Sequence, residues 1–328
     1  MSDNLLADSI EQLLNDHSPP HVVRMIEGGA SSAALWRTVE ESGFCDALLP
    51  ESKGGAGLGM CDALAIFEAC GRHAVPIPLA QTVMARALIA DAGHIPPAGS
   101  IALATGKADA ADVLYGAVAD WVLLSDGQAL KLLDTKEARH DTLGTVATDI
   151  RMHWPANFEA SLQFNSTHDL RVIEALVLAA QISGAVRHVF AETLTYANER
   201  QQFGRSIGKF QAIQHHFAVL AEQVEAARMS VRMACAGTTP WPEMLLAAVA
   251  KARTSEAAVI VASLAHAIHG AMGITEECDL QLHTRRLHAW RIAAGSETYW
   301  HRCIGRALVA GSSSIAEFTR QELAATID

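Results

Sequence analysis

HDLRVIEALVLAAQISGAVRHVFAETLTYANER, residues 168–200, decides the fold of this chain. Apolar residues recur at three and four spacing with no proline, so the stretch predicts one α-helix about 45 Å long at 1.5 Å per residue. Two comparable runs follow. FQAIQHHFAVLAEQVEAARMSVRMA, from residue 210, sets Phe210, Ile213, Phe217, Leu220 and Val224 along one stripe. PEMLLAAVAKARTSEAAVIVASLAHAIHG has Pro242 in first-turn position and stops at Gly270. Long helices of similar size joined by short loops predict a four-helix bundle, completed by segments after Asp279.

Upstream the texture changes twice. LLADSIEQLL, SAALWRTVEESG, CDALAIFEACGRH and LAQTVMARALIADAG carry helical periodicity. DALLPESKGGAGLGM, an extended apolar piece and a glycine-rich turn, interrupts them at Pro50, Gly54, Gly55 and Gly57. SIALAT, ADWVLLSD and ALKLLDT read as short strands, with Asp126-Gly127 as a hairpin turn. The expected architecture is mainly α with a small β domain: an N-terminal helical domain over 1–98, a shortened β-rich domain over 99–166, and a helical bundle over 167–328.

With 328 residues, half of them apolar, the chain can bury a sizeable core. A formal charge of −11 without a basic tail argues against nucleic acid as partner. The most apolar windows are interrupted by residues such as Ser263, His266 and His269, so no membrane span is expected, and the acidic N-terminus is unlike a signal peptide. A cytoplasmic location is the corresponding expectation. Cys45, Cys61, Cys70, Cys235, Cys278 and Cys303 form no CxxC pair and read as reduced, mostly buried thiols. The adjacent His215 and His216 lack metal-binding spacing, and no metal is expected.

RQQFGRSIGKFQAIQHH, residues 200–216, joins the first two bundle helices and concentrates a cation, aromatic rings and amides at one corner. With ESGFCDALLPESKGGAGLGMCDALAIFEACGR and AIHGAMGITEECDLQLHTRRLHAWRIAAGSE, in this order around a β segment, the chain resembles the acyl-CoA dehydrogenase family over nearly its whole length. The resemblance implies FAD-dependent α,β-desaturation of an acyl-CoA thioester. It also implies an electron-transfer flavoprotein or similar acceptor, and assembly as a homo- or hetero-oligomeric dimer of dimers.

By resemblance, Arg200 and Gln202 hold the pyrophosphate, Phe203, Ile207 and Phe210 wall the adenine, and Gln211 hydrogen-bonds it. His269, Gly270 and Gly273 line the same moiety, and both sets serve the neighbouring chain's flavin. The chain departs from the family at Ala267 and Ala271, in place of a glutamine and a glycine. It departs more sharply at Ala294, where most members carry the glutamate that removes the α-proton. Glu174, on the first bundle helix, and Glu297, three residues past Ala294, are the candidate replacements. The Thr-Glu-Pro, Gly-Ser-Asp and Trp-x-Thr motifs that hold flavin ring and thioester are missing from the β segment. The pattern is similar to the short, degenerate subunits of heterotetrameric steroid side-chain acyl-CoA dehydrogenases, and implies a subunit that completes a partner's flavin site. A self-sufficient homo-oligomer using Glu174 or Glu297, and a non-catalytic assembly or binding protein on the same fold, are the alternatives.

Overall fold

The computed structural model describes residues 2–237, 239–311 and 314–320. Five helices come first: α1 (Ser2–His17), α2 (Pro20–Glu27), α3 (Ala33–Glu41), α4 (Met60–Arg72) and α5 (Leu79–Asp91). Periodicity foretold all but the short α2. The glycine-rich stretch before α4 is less extended than expected, since it makes two single 3₁₀ turns at Phe44–Asp46 and Glu51–Lys53. Every residue of α5 except Asp91 is buried, as expected of a helix apolar on all sides.

Seven strands follow, β1 (Ile101–Thr105), β2 (Ala111–Val113), β3 (Trp121–Ser125), β4 (Leu130–Asp134), β5 (Arg139–Thr142), β6 (Ile150–His153) and β7 (Leu162–Phe164). They form two sheets, ordered β1-β3-β4-β7 and β2-β6-β5. The β3–β4 hairpin turns at Asp126-Gly127, where Asp126 Oδ1 accepts from the amides of Gln128 and Ala129 at 2.9 and 3.0 Å. The parallel pairing of β1 with β3 has no signature in so short a segment.

The bundle consists of α6 (Leu170–Glu199), a miniature hairpin β8 (Gln201–Gln202) and β9 (Arg205–Ser206), α7 (Gln211–Cys235), α8 (Met244–His269) and α9 (Leu280–Ile292). Two further helices, α10 (Glu297–Ala310) and the single turn α11 (Ile315–Phe318), follow. The chain is therefore mainly α with a small β unit. Helix α6 starts where Asp169 caps it, its Oδ1 accepting from Arg171 N at 2.8 Å. Helix α8 starts at Met244, two residues beyond Pro242 rather than around it. Along α7 the apolar stripe fades: Leu220 and Val224 are buried, whereas Phe210, Ile213 and Phe217 are only half-buried.

Helices α4 and α6 cross at glycine. A Cβ on Gly71 would lie 1.8 Å from Gln181 O, and one on Gly184 1.9 Å from Glu68 O, so the backbones touch where side chains would otherwise hold them apart. This brings α6 into the middle of the molecule, beneath the sheets.

Two sequence expectations need correction. Leu170–Glu199 and Met244–Ile274 are in fact long and apolar enough to cross a membrane; 89% of the most apolar window of the first is buried inside the protein, and 44% of the second. Of the interrupting polar residues, His266 lies 3.0 Å from Thr284 Oγ1 and His269 Nδ1 2.9 Å from Ala265 O, whereas Ser263 is exposed. Of the six cysteines, none in a disulfide, Cys45, Cys70 and Cys235 are buried, but Cys61 is exposed and Cys278 and Cys303 are half-buried.

Candidate active site

A cavity of about 460 Å³ lies where the β unit meets the bundle. Asp112 from β2, Thr145 and Asp149 from the loop before β6, Glu174 from the second turn of α6, and His288 and Ala294 at the end of α9 all line it. Its loop wall is fastened from α9, whose Arg285 donates to Thr145 O at 2.8 Å and to Glu27 Oε2 at 2.7 Å. A buried relay runs below. Gln81 Nε2 of α5 donates to Gln181 Oε1 of α6 at 3.2 Å, Gln181 Nε2 donates to Tyr115 Oη at 3.0 Å, and Tyr115 N donates to Asp149 Oδ1 at 3.0 Å. All three parts of the fold are thus joined through polar groups that share partners.

Glu174, on α6, and Ala294, where the family places its base, face one cavity. Glu174 is only 6% exposed, and among the described residues its carboxylate has no hydrogen-bond partner. Burial therefore raises its pKa to about 7, with Lys251 and Arg171 pulling against that rise. Asp149 is raised to about 6 for the same reason, opposed by the Tyr115 amide and by Arg286. Such carboxyls exchange protons near neutrality, which is the property a proton-abstracting group requires.

A raised folded pKa means that the stability linked to Glu174 is complete below its unfolded value of 4.5 and is lost as pH climbs through about 7. Glu174→Gln removes this dependence. Thermal melts are expected to find the variant up to about 3 kcal/mol more stable than the parent at pH 8 and equal to it at pH 4.5.

Sequence reading missed Lys251. Fully buried on α8, it donates to Arg291 O at 2.8 Å, Gly295 O at 3.1 Å and Ser255 Oγ at 3.1 Å. Burial lowers its pKa, to about 7, while the three acceptors favour the ammonium, which alone can donate to all of them. Trp300 Nε1 also donates to Gly295 O, at 3.1 Å. Between these anchors Ala294 is held at φ 53°, a conformation costly for a residue with a Cβ and often stored at functional sites. Lys251→Met is expected to cost about 3 kcal/mol by stranding Arg291 O and releasing this loop, measurable as a lowered midpoint in urea. The sequence signal was weak: Lys251 stands among alanines, but Arg253 and Glu256 follow within five residues on the same helix.

Glu297 is placed elsewhere. It opens α10 and forms an ion pair and two hydrogen bonds with Arg291, which hold its carboxyl below the usual glutamate range, and it does not line the cavity.

The other sequence-derived set gathers at the far end of the bundle. Ile207 N donates to Arg200 O at 2.9 Å, closing the β8–β9 hairpin. Phe203 and Gly204 form its turn at φ 53° and 78°, the pair of positive angles that a type I′ turn demands. An aromatic residue is rare there, and its ring is 91% exposed. The Arg205 guanidinium lies 4.1 Å over the Phe210 ring, Ile207 is buried, and Gln202 and Gln211 point outward as exposed residues. Tyr196, four residues before Arg200, stacks on His269 at 4.3 Å and donates to its carbonyl at 3.3 Å. Arg200, Gln202, Phe203 and Gln211 therefore share one end of the bundle with His269, Gly270 and the buried Gly273. Gly270 has φ 59° and ψ −140°, backbone essentially confined to glycine.

Family models described as "Acyl-CoA dehydrogenase, N-terminal domain" and "Acyl-CoA dehydrogenase, C-terminal domain" match residues 2–94 and 172–309. The chain is 32% identical over 291 residues to acyl-CoA dehydrogenase IpdE2 of Mycolicibacterium smegmatis, covering 87% of this chain and 91% of that one. It belongs to the acyl-CoA dehydrogenase family. Its fold is also that of two solved structures. One, described as a Tcur3481-Tcur3483 steroid ACAD variant, has a TM-score of 0.80 at 23% identity over 95% of this chain and 99% of that chain. The other is the ChsE4-ChsE5 complex from Mycobacterium tuberculosis, with a TM-score of 0.78 at 19% identity over 95% and 98%. Members of this family are flavoprotein oxidoreductases.

Proposed function

We propose that this acyl-CoA dehydrogenase chain works in an oligomer, where it completes the flavin site of a neighbouring full-length subunit that desaturates a steroid-derived acyl-CoA. The observation that carries the reading is the exposed, strained hairpin at Phe203, set beside the Gly270 turn by the Tyr196–His269 stack. Strain in an exposed aromatic turn is kept where something outside the chain rewards it.

The residues fit the group. Arg200 offers a guanidinium for pyrophosphate, Gln202 and Gln211 offer amides, and Phe203 and Phe210 offer ring faces to an adenine. The exposed Gly270, backed by the buried His269 and Gly273, forms the wall on the other side. FAD, when bound, supplies the acceptor for the hydride leaving the β-carbon. This chain's part is to bind, orient and exclude water at the ADP half. The exposed apolar side chains Leu194, Val219, Met229, Met244, Met272 and Ile274 support burial against another subunit, and the two-component assemblies named for the structural relatives support an unlike one. Electrons then pass to an electron-transfer flavoprotein or similar acceptor.

Glu174 favours a second reading, a self-sufficient enzyme in which this carboxyl takes the α-proton in its own cavity. Turnover of Glu174→Gln separates the two, assayed with the chain in complex with the full-length subunit with which it co-purifies. Under the first reading the variant turns over within about twofold of the parent. A loss of about 10²–10⁴-fold would move the base to this chain.

A further inference from the structure

We infer that His188, Glu192 and His283 form a site for a divalent cation of zinc type between α6 and α9. The ligand atoms of these three side chains lie within 4.8 Å of one another. His188 and Glu192 stand one turn apart on the same face of α6, with Nε2 and Oε2 3.8 Å apart, and His283 reaches them from α9.

His283 supplies the observation that points to a ligand. It is 3% exposed, and its Nε2 lies 2.9 Å from Arg72 O. Only an N–H can donate to a carbonyl, so the lone pair of the neutral ring sits on Nδ1. Among the described residues that Nδ1 is buried without a hydrogen bond of ordinary geometry, although the Asp279 carbonyl also lies against the ring, and Oε2 of Glu192 is unpartnered too. A backbone carbonyl fixing one ring nitrogen while the other awaits an acceptor of its lone pair is the arrangement around metal-bound histidine. Two orphaned buried atoms in one cluster otherwise represent an uncompensated cost.

The surroundings suit a cation. Asp279 adds a carboxylate beside Glu192, although Arg24 pairs with it. Arg72 and His73 also face this region but are engaged by Glu11, at 3.0 and 2.8 Å. A cavity of about 250 Å³ lined by His188 and His283 gives an entry path and room for a water as fourth ligand. The two rings stack at 4.1 Å, so closing on one ion takes a rotation of the half-exposed His188. Two neutral histidines and one carboxylate suit zinc, whose bonds to them run about 2.0–2.2 Å. Bound there, the ion ties the first bundle helix to the helix that carries the Ala294 wall. No sequence motif points to it, because one ligand lies far along the chain from the other two.

The test uses the full chain stripped with chelator, dialysed and titrated with zinc chloride. Metal per chain is read by mass spectrometry, and cobalt chloride gives visible bands as an independent readout. About one ion per chain is expected, with thermal stability raised by zinc and restored to the apo value by chelator. Glu192→Gln, nearly isosteric, and His188→Ala, at a half-exposed position, are each expected to weaken binding at least tenfold, while His215→Ala/His216→Ala leaves it unchanged. A chain that takes up no zinc, or whose zinc binding survives Glu192→Gln undiminished, overturns the site. Binding lost in Cys278→Ser but kept in His188→Ala also overturns it, in favour of the adjoining Glu192, His269 and Cys278 cluster.

Discussion

Gly184→Val is expected to prevent folding. A Cβ at this position would fall 1.9 Å from the carbonyl oxygen of Glu68, and the obstacle is backbone, which cannot swing aside as a side chain can. Helices α4 and α6 would have to separate, breaking the hydrogen bond from Ser183 Oγ to Glu68 Oε1 at 2.7 Å and the Arg187–Glu68 pair at 3.4 Å. Overpacking commonly costs about 1–3 kcal/mol where neighbours can adjust; here they cannot, against a total stability of about 5–15 kcal/mol. The milder Gly184→Ala gives the sharper diagnosis. Alanine in place of glycine ordinarily strengthens a helix by about 1 kcal/mol, so a lowered melting midpoint reverses the usual sign and identifies the crossing as the cause. An unchanged or raised midpoint would mean that α4 and α6 stand further apart than described.

The second large effect is on the cofactor. In the co-purified complex, Arg200→Ala is expected to weaken flavin retention about 10–100-fold, the equivalent of one charge-assisted hydrogen bond of about 1.5–3 kcal/mol. Because Arg200 is exposed, the melting midpoint of the isolated chain should not move. The pair of results, flavin lost and fold intact, is what distinguishes a ligand contact from a structural one. Dialysis against flavin-free buffer followed by absorbance at the flavin band reads the first, and a thermal melt reads the second. Equal flavin retention in parent and variant would remove Arg200 from the site.

Much of this was legible in the sequence. The α7 periodicity follows from burial of one face, the apolar first half of α6 from burial on all sides, and the Asp126-Gly127 hairpin from local turn chemistry. The motif around Arg200 pointed to the exposed corner proposed here for the ADP half, and Glu174 was reachable because it occupies a fixed turn of α6. What could not be read depends on contacts between distant segments. The β1–β3 pairing, the Gly71–Gly184 crossing, Lys251 under the Ala294 loop and the His188–His283 stack each join residues far apart in the chain. Glu297 illustrates the opposite error: three residues from Ala294 in sequence, it is turned away by Arg291. The apparent membrane-spanning length of α6 and α8 also needed the fold, since apolarity alone does not distinguish a bundle core from a bilayer.

The most direct test of a shared flavin site is the visible absorption spectrum of this chain purified alone and again after co-expression with a full-length acyl-CoA dehydrogenase subunit. A flavin-to-polypeptide ratio near zero alone, with flavin recovered in the complex, is the expected result. A ratio near one for the isolated chain would contradict it and make Glu174 the base of a self-sufficient enzyme.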